Sequence, residues 1–238
     1  MICIPSYGRP QCKTISTLEK YKIPKDKITI YVVEEEYELY KKIHDYIVIG
    51  VKGIVAQRKF IEDQYPEGTH LVFMDDDLDD IDLSLSPYIT LMDFLEDAFK
   101  ESIAHGAYLW GVYAVYNPYF RKARTPLSTC LNFCVGCLYG IITRKPSIDI
   151  TISKHGNKED VERSIRYFIR DGVVLRFNRI APKTKYYGSH GGLGTKRERM
   201  DEIRTEAYNL AEAFPNYGKI KVRKNGLTEF NLKKLIRD

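Results

Sequence analysis

The 238-residue sequence has no run approaching the roughly 18 consecutive apolar residues that a membrane-spanning helix requires, so a soluble chain is expected. It also lacks the basic start and long apolar stretch of a secretory leader. Met1-Ile2-Cys3-Ile4 reads directly as a strand, and nothing marks the chain for export. Cysteines are few and odd in number: five cannot all pair. Cys3, Cys130, Cys134 and Cys137 lie in apolar segments where a thiol packs as a small hydrophobe, which points to a reducing, cytoplasmic compartment. Cys134 and Cys137 have the spacing of a zinc or redox pair, but no second pair accompanies them and the stretch is strand-like. No internal repeat, low-complexity tract or linker interrupts the chain, so one domain over residues 1–238 is expected.

An excess of one charge sign is nearly missing as well. Lysine and arginine number 37 against 32 acidic residues, a net charge of +5 with pI ≈ 8.8. Nucleic-acid-binding domains often exceed a pI of about 9 with the charge clustered, so this balance permits a polyanionic partner without demanding one.

What is present is an alternation of elements. Met1 to Pro5 and Ile28 to Val33 are β-branched runs separated by an amphipathic stretch, Gln11 to Tyr21, which gives a β-α-β opening. The apolar run Asp45 to Val51 precedes a helix beyond Gly53 that ends at Pro66-Glu67-Gly68. Thr69 to Met74 is a buried strand running straight into Asp75-Asp76-Asp77-Leu78-Asp79-Asp80. A helix over Leu91 to Ala104, a strand over Ala107 to Tyr116 and an apolar stretch over Cys130 to Ile142 follow. Val161, Ile165, Phe168 and Ile169 mark one face of a further helix, with Asn157 placed to cap it and Glu159 and Asp160 in its first turn. From Lys196 the sequence is polar, with both charge signs mixed.

Ligands in open α/β sheets bind beyond the carboxyl ends of strands, where Ser6 to Arg9, Glu34 to Glu36 and Asp75 to Asp77 all fall. Three adjacent desolvated carboxylates repel strongly unless a cation joins them. Mg²⁺ or Mn²⁺ suits such a site, taking one or two carboxylates and completing its shell with water and phosphate oxygens. A solvated acidic turn is the plainer alternative. A calcium loop starting at Asp75 fails twice, with Asp80 where glycine is needed and Ser86 where glutamate is needed. An aspartyl phosphatase built on Asp75 and Asp77 lacks the later lysine and paired aspartates.

Ile4-Pro5-Ser6-Tyr7-Gly8-Arg9-Pro10, Val32-Val33-Glu34, Gly53-Ile54-Val55-Ala56-Gln57-Arg58 and Phe73-Met74-Asp75-Asp76-Asp77 together resemble, in order, the nucleotide-binding elements of GT-A glycosyltransferases. Lys158 to Ile165, Asp171-Gly172 and Tyr187 to Gly192 are similar to segments of viral and phage glycosyltransferases of modified DNA bases, relatives of the base J glucosyltransferase. The resemblance implies a single GT-A-like (Rossmann-like) α/β domain with a mixed, mostly parallel sheet flanked by helices. Residues 1–80 would form its nucleotide-binding half and 81–238 its acceptor-binding and catalytic half. For a viral protein the compartment becomes host cytoplasm or nucleus.

The same resemblance implies a UDP-sugar donor, held by Pro5, Ser6, Tyr7, Arg9, Glu34, Arg58, Asp75 and Asp76. Asp77 and Asp75 would bind Mn²⁺ or Mg²⁺, with His190 between its glycines as a third ligand or a diphosphate contact. Asp160, or Glu159 as the second choice, would be the general base of an inverting transfer of a hexose, typically glucose, to a hydroxymethylpyrimidine in DNA. Asn157 with Asp160 three residues later also fits a capping box, which needs no chemistry. Arg121, Lys122 and Arg124, interleaved with Tyr116, Tyr119 and Phe120, are the local candidates for contacting a polyanionic acceptor, with Gly191 and Gly192 added by the resemblance. A glycan acceptor, and a non-catalytic nucleotide- or DNA-binding module, are the alternatives.

Overall fold

The structure is a computed structural model that describes residues 1–185 and 199–236. The chain opens with β1 (Ile2–Pro5), α1 (Lys13–Lys20), β2 (Ile28–Val32), α2 (Tyr37–Lys41), β3 (Ile47–Ile49), α3 (Ile54–Gln64) and β4 (His70–Met74). It continues through β5 (Asp80–Asp82), α4 (Leu91–Ala104), β6 (Leu109–Val112), β7 (Leu127–Ser128), β8 (Leu138–Ile142) and α5 (Glu159–Asp171). The last described elements are β9 (Leu175–Phe177), β10 (Ala181–Lys183), α6 (Met200–Ala213), β11 (Gly218–Val222) and β12 (Thr228–Leu232).

Eight strands form one sheet in the order β3-β2-β1-β4-β8-β6-β9-β7. The β3/β2, β2/β1, β1/β4 and β6/β9 pairs are parallel. The β4/β8, β6/β8 and β7/β9 pairs are antiparallel. The expected mixed, mostly parallel α/β sheet is therefore present, and its central strands β1, β4, β8 and β6 are buried on both faces because helices cover both. One face packs Ile4, Ile30, Val72 and Met74 under α1 and α4, around Trp110. The other packs Cys3, Tyr31, Leu71, Phe73 and Tyr139 with Ile61 of α3 and Phe168 of α5. Glycine inside β8 has a steric cause: a Cβ on Gly140 would lie 2.2 Å from the Trp110 ring.

Two expectations are corrected. The apolar stretch from Cys130 is a strand only from Leu138, and Cys134 and Cys137 sit in the preceding loop, buried because that loop tucks under the sheet and presses Cys134 against Gly111. All five cysteines are free thiols. Asn157 does not cap α5; the residue preceding the helix is Lys158, and the Asn157 side chain bonds Glu202 and Arg199 instead. The polar tail also holds more structure than its composition suggests. Helix α6 and the β11–β12 hairpin pack Leu210 and Phe230 on Val161 and Ile165 of α5. Among the described residues no helix is long and apolar enough to cross a membrane.

Candidate active site

The carboxyl ends of β1 and β4 meet in a hydrogen-bonded cluster. Beyond β1 the chain turns at Gly8, whose φ of 69° lies in the region glycine tolerates best. The Gly8 N–H donates to both carboxylate oxygens of Glu36, at 3.0 and 2.9 Å. The Arg9 N–H donates to the Tyr40 hydroxyl at 3.0 Å, and Tyr40 and Ser6 hydroxyls lie 2.7 Å apart. Ser6 Oγ donates to Asp76 Oδ2 at 2.5 Å. Arg9 Nη1 then joins two acids, at 2.7 Å from Asp76 Oδ1 and 2.9 Å from Asp77 Oδ2. From below, Thr14 of α1 holds the acidic loop through Asp75 O and the Leu78 N–H.

Arg58 of α3 connects this cluster to the second half of the chain. Its Nη2 donates to Asp75 Oδ1 and to the Gly136 carbonyl, both at 2.7 Å, and its Nη1 pairs with Glu159 at the start of α5. Glu159 is also paired with Arg163 one helical turn on, and is only 3% exposed. Asp160 lies alongside: its Oδ2 accepts the Gly136 N–H at 3.3 Å and its Oδ1 the Val161 N–H at 2.9 Å. A Cβ on Gly136 would stand 2.9 Å from Glu159 Oε1 and 3.2 Å from Arg58 Nη1, so glycine is what lets the three segments close.

The amino end of α5 is itself positioned from the tail. Buried Glu206 of α6 accepts the backbone N–H groups of His155, Asn157 and Lys158 at 2.8, 3.0 and 3.1 Å. Buried Glu162 does the same for Thr151, Ile152 and Ser153. Two internal carboxylates thus fix the loop that delivers Glu159 and Asp160.

Electrostatics distinguish the acids. Desolvation pushes the Asp75 carboxyl up to about 6 against the pull of Arg58, with Asp77 and Asp76 adding to the rise. Desolvation also raises Asp76, opposed by Ser6 and Arg9, and raises Asp160, opposed by Lys158 and the Gly136 N–H. Asp75 remains 36% exposed and Asp77 26% exposed, while Asp76 is 5% exposed.

Asp76 is therefore an internal counter-ion to Arg9 that also accepts a hydrogen bond from Ser6, and its carboxylate is largely shielded. Pro5 and Ser6 are buried, and Tyr7 is exposed with Lys52 Nζ 5.8 Å from its ring centre. Glu34 is exposed at the end of β2, but it is Glu36, two residues on, that grips the Gly8 turn. Arg121 is corrected as an acceptor contact. It is fully buried, paired with Asp82 and donating to the carbonyls of Tyr116 and Arg179, so no polyanion reaches it. Lys122 is exposed beside Tyr119, whereas Arg124 is half-buried over the Tyr113 ring. His190, Gly191 and Gly192 lie outside the described residues.

Sequence reasoning missed Tyr40, Thr184, Arg163 and Glu206, and placed Glu36 at the strand ends without assigning it a role. Thr184 Oγ1 donates to Asp77 Oδ1 at 3.1 Å. Glu36 had a signal, belonging to the acidic triplet after β2; Glu206 had none, because only folding brings α6 to α5. Arg58 and Glu159 also line a cavity of about 270 Å³, together with Lys59, Glu62, Tyr139, Arg163 and Tyr167. Burial there pushes the Glu62 carboxyl up to about 7.

No protein-family model matches the chain, and no curated protein matches it. Solved structures do. A mannosyltransferase from Pyrobaculum calidifontis, in complex with GDP-Man and Mn²⁺, superposes with a TM-score of 0.57 at 15% identity, covering 92% of this chain and 64% of that one. A mycobacterial protein gives 0.52 at 10% identity, covering 99% and 83%. The chain is thus similar in fold to a known glycosyltransferase. Its fold is GT-A-like. TarS from S. aureus matches at a TM-score of 0.46 and 12% identity over 88% of this chain and 64% of that one. The present chain spans 64% of the length of the mannosyltransferase and TarS chains.

Proposed function

We propose that the chain is a metal-dependent, inverting glycosyltransferase that moves a hexose, glucose for preference, from a UDP-sugar to the hydroxymethyl group of a modified pyrimidine in DNA. The observation that carries the transferase reading is Arg58, whose single guanidinium joins Asp75 at the strand ends to Glu159 and Gly136 beside Asp160. It works as one domain in this reading, residues 1–80 binding the donor and 81–238 the acceptor, with Arg58 as the tie between them.

The Ser6–Arg9 turn and Asp75 line the donor side, where the Arg9 and Arg58 guanidinium groups attract a diphosphate. Asp75 and Asp77 fit a hard divalent ion: both are oxygen donors that stay partly open to solvent, and repulsion from Asp77 and Asp76 adds to the desolvation that raises the Asp75 carboxyl. Among the described residues no group of three His, Cys, Asp or Glu side chains forms a ligand set. An ion here would therefore have to take most of its shell from phosphate and water. When bound, Mn²⁺ or Mg²⁺ supplies Lewis-acid stabilisation of the leaving diphosphate. The Pyrobaculum mannosyltransferase, with its Mn²⁺ and GDP-Man, supports this donor chemistry by analogy of fold.

Asp160 is the general base in this scheme. The acceptor hydroxyl oxygen attacks the anomeric carbon, the bond from that carbon to the diphosphate oxygen breaks, and the hydroxyl proton passes to the Asp160 carboxylate. Desolvation makes this carboxylate a stronger base than an ordinary one, offsetting the helix-terminus field that favours its anion. Glu159 is unsuited to the role, being held between Arg58 and Arg163 away from solvent. The DNA acceptor rests on the resemblance of residues 158–192 and on the exposed Tyr119, Phe120 and Lys122. His190, Gly191 and Gly192 belong to the proposal on the same resemblance.

The test is turnover of UDP-glucose with Mn²⁺ in the presence of hydroxymethyluracil DNA, hydroxymethylcytosine DNA or unmodified DNA, read as UDP release and DNA mass. A gain of one hexose only on a hydroxymethylated strand is expected. Metal-dependent UDP release without a DNA gain overturns the acceptor and redirects it to a glycan. No UDP release under any condition overturns catalysis and leaves a binding module.

A further inference from the structure

The net charge of the chain is gathered in one place. Residues 218–234, the β11–β12 hairpin and its continuation, carry Lys219, Lys221, Arg223, Lys224, Lys233 and Lys234 against the single acid Glu229. That segment has a net charge of +5, which is the net charge of the whole chain, so the remaining residues balance to zero. The strand period sorts these charges onto one face. Ile220, Phe230 and Leu232 turn inward and pack with Val161 and Ile165 of α5 and Leu210 of α6. Lys219 and Lys221 alternate with them along β11, opposite Asn231 and Glu229 of β12, and so face outward. All six basic side chains are exposed. Arg223 pairs with Glu229 at 2.7 Å, which uses the one acid of the segment. Among the described residues Lys219, Lys221, Lys224 and Lys234 have no ion pair. Like charges on one face of a sheet repel, so the cluster destabilises the hairpin until an anion meets it.

The hairpin lies beside the proposed reaction site. Its inward side chains rest on Val161, the residue after Asp160. Lys158, two residues before Asp160, is 7% exposed, and its ammonium has no hydrogen-bond partner among the described residues. Burial lowers the Lys158 ammonium against the pull of Asp160, Glu229 and Glu206, and Arg223 adds to the fall. The far end of β11 is thus within electrostatic reach of the start of α5. We propose that the outer face of the β11–β12 hairpin binds the phosphate backbone of duplex DNA beside the start of α5. Side chains two apart on a strand repeat every ~6.7 Å, so Lys219, Lys221 and Arg223 form a row of cations that a polyanion can use and a single small anion cannot. Asn231 adds a neutral donor of the kind that contacts phosphate oxygens. The outer face of the two strands has no apolar side chain, whereas surfaces that bind anionic membranes bury apolar groups beside their basic ones. That the bound DNA is the acceptor rests on the transferase reading above; the binding itself does not.

The test is binding of a fluorescein-labelled duplex of unmodified DNA to the whole chain, read by anisotropy over a salt series with no donor sugar present. Wild-type affinity is expected to fall steeply with salt. Lys219→Glu, Lys221→Glu and Lys224→Glu together should weaken binding at least about tenfold at about 100 mM salt and flatten the logarithmic salt slope by about 3, since each phosphate contact contributes about 0.9. The melting temperature should not fall, because all three side chains are exposed and unpaired. Arginine at the same three positions should retain binding. Lys27→Glu, Lys42→Glu and Lys100→Glu, on other elements, change the net charge equally and should leave the slope unchanged. A wild-type chain that does not bind DNA, a hairpin variant that binds as wild type, or a control variant that loses as much overturns the inference. So does tighter binding to vesicles of anionic lipid than to DNA. UDP release from UDP-glucose, measured separately, keeps the two readings apart. Release together with DNA binding that ignores the hairpin overturns this inference alone; hairpin-dependent binding without release overturns the transferase reading alone.

Discussion

Arg58 and Arg121 are both buried guanidinium groups that tie together distant stretches of chain, and they differ in what their partners have left over. Arg121 is enclosed by Asp82 and by the carbonyls of Tyr116 and Arg179, so its charge is spent on holding the β5–β10 region to the 116–121 loop. Arg58 pairs with Asp75, which still faces the cleft, and with Glu159, which sits next to Asp160. The first is a structural clasp. The second is a clasp whose far side is a candidate reaction site. Residue type and burial are nearly the same in the two places, so neither predicts function; the remaining exposure of the neighbouring carboxylates separates them.

The largest expected effect concerns a neighbour that only Arg58 has. Asp160→Asn should lower kcat by about 10²–10⁴-fold, the range for a lost general base, with the KM for the UDP-sugar little changed. Loss of kcat equally well from Glu159→Gln, at unchanged melting temperature, would break the assignment of the base.

The comparison itself is broken or upheld by paired truncations. Arg121→Ala strands the nearly buried Asp82, and Arg58→Ala leaves Asp75 without its partner and Glu159 with Arg163 alone, so each should lower stability by up to about 3–5 kcal/mol in denaturant melts. Only Arg58→Ala should also abolish turnover of the fraction still folded. Equal turnover per folded molecule in the two variants would place Arg58 with Arg121 as purely structural.

Glu206→Gln should have a smaller effect, about 1–3 kcal/mol, because one carbonyl oxygen cannot serve three N–H donors. It should lower kcat more than it raises the KM for the donor, because it shifts the start of α5 and leaves the strand-end cluster intact.

Glu62 probes the polar cavity that it lines with Arg58. Its carboxyl is raised to about 7 from an ordinary value near 4.5. The folded state therefore holds the proton more tightly than the unfolded state, and stability falls as pH rises from about 4.5 to about 7. Glu62→Gln has no such charge to bury, so its melting temperature should exceed wild type by a few degrees at pH 8 and match it near pH 4. The smallest effect is expected at the exposed side of the 116–124 segment. Lys122→Ala should leave the melting temperature unchanged and reduce the salt slope of DNA binding by about one phosphate contact.

Several elements were legible locally. The helix over Leu91 to Ala104 coincides with α4, where the Thr90–Asp93 capping box and a full apolar face act together. The strand before the acidic loop appears as β4, since a β-branched and aromatic run against a carboxylate cluster has few other uses. Cys134 and Val135 misled in the other direction: a loop pressed under the sheet is as apolar as a strand. Helix α6 gave little signal because its buried stripe, Ile203, Ala207 and Leu210, is narrow and is completed by Phe230 from another element.

By itself, the sequence determined the alternation of strands and helices and the crowding of Ser6–Arg9, Glu34–Glu36 and Asp75–Asp77 at one end of the sheet. Those features depend on hydrophobic period and on residues adjacent in the chain, which are local. Only the tertiary structure decided that Arg58 joins Asp75 to Glu159, that Glu206 holds the start of α5, and that Arg121 is shut away from any ligand. A charge acts through whatever stands within a few ångströms and through the water it has lost, and both are set when segments 50 to 100 residues apart pack together.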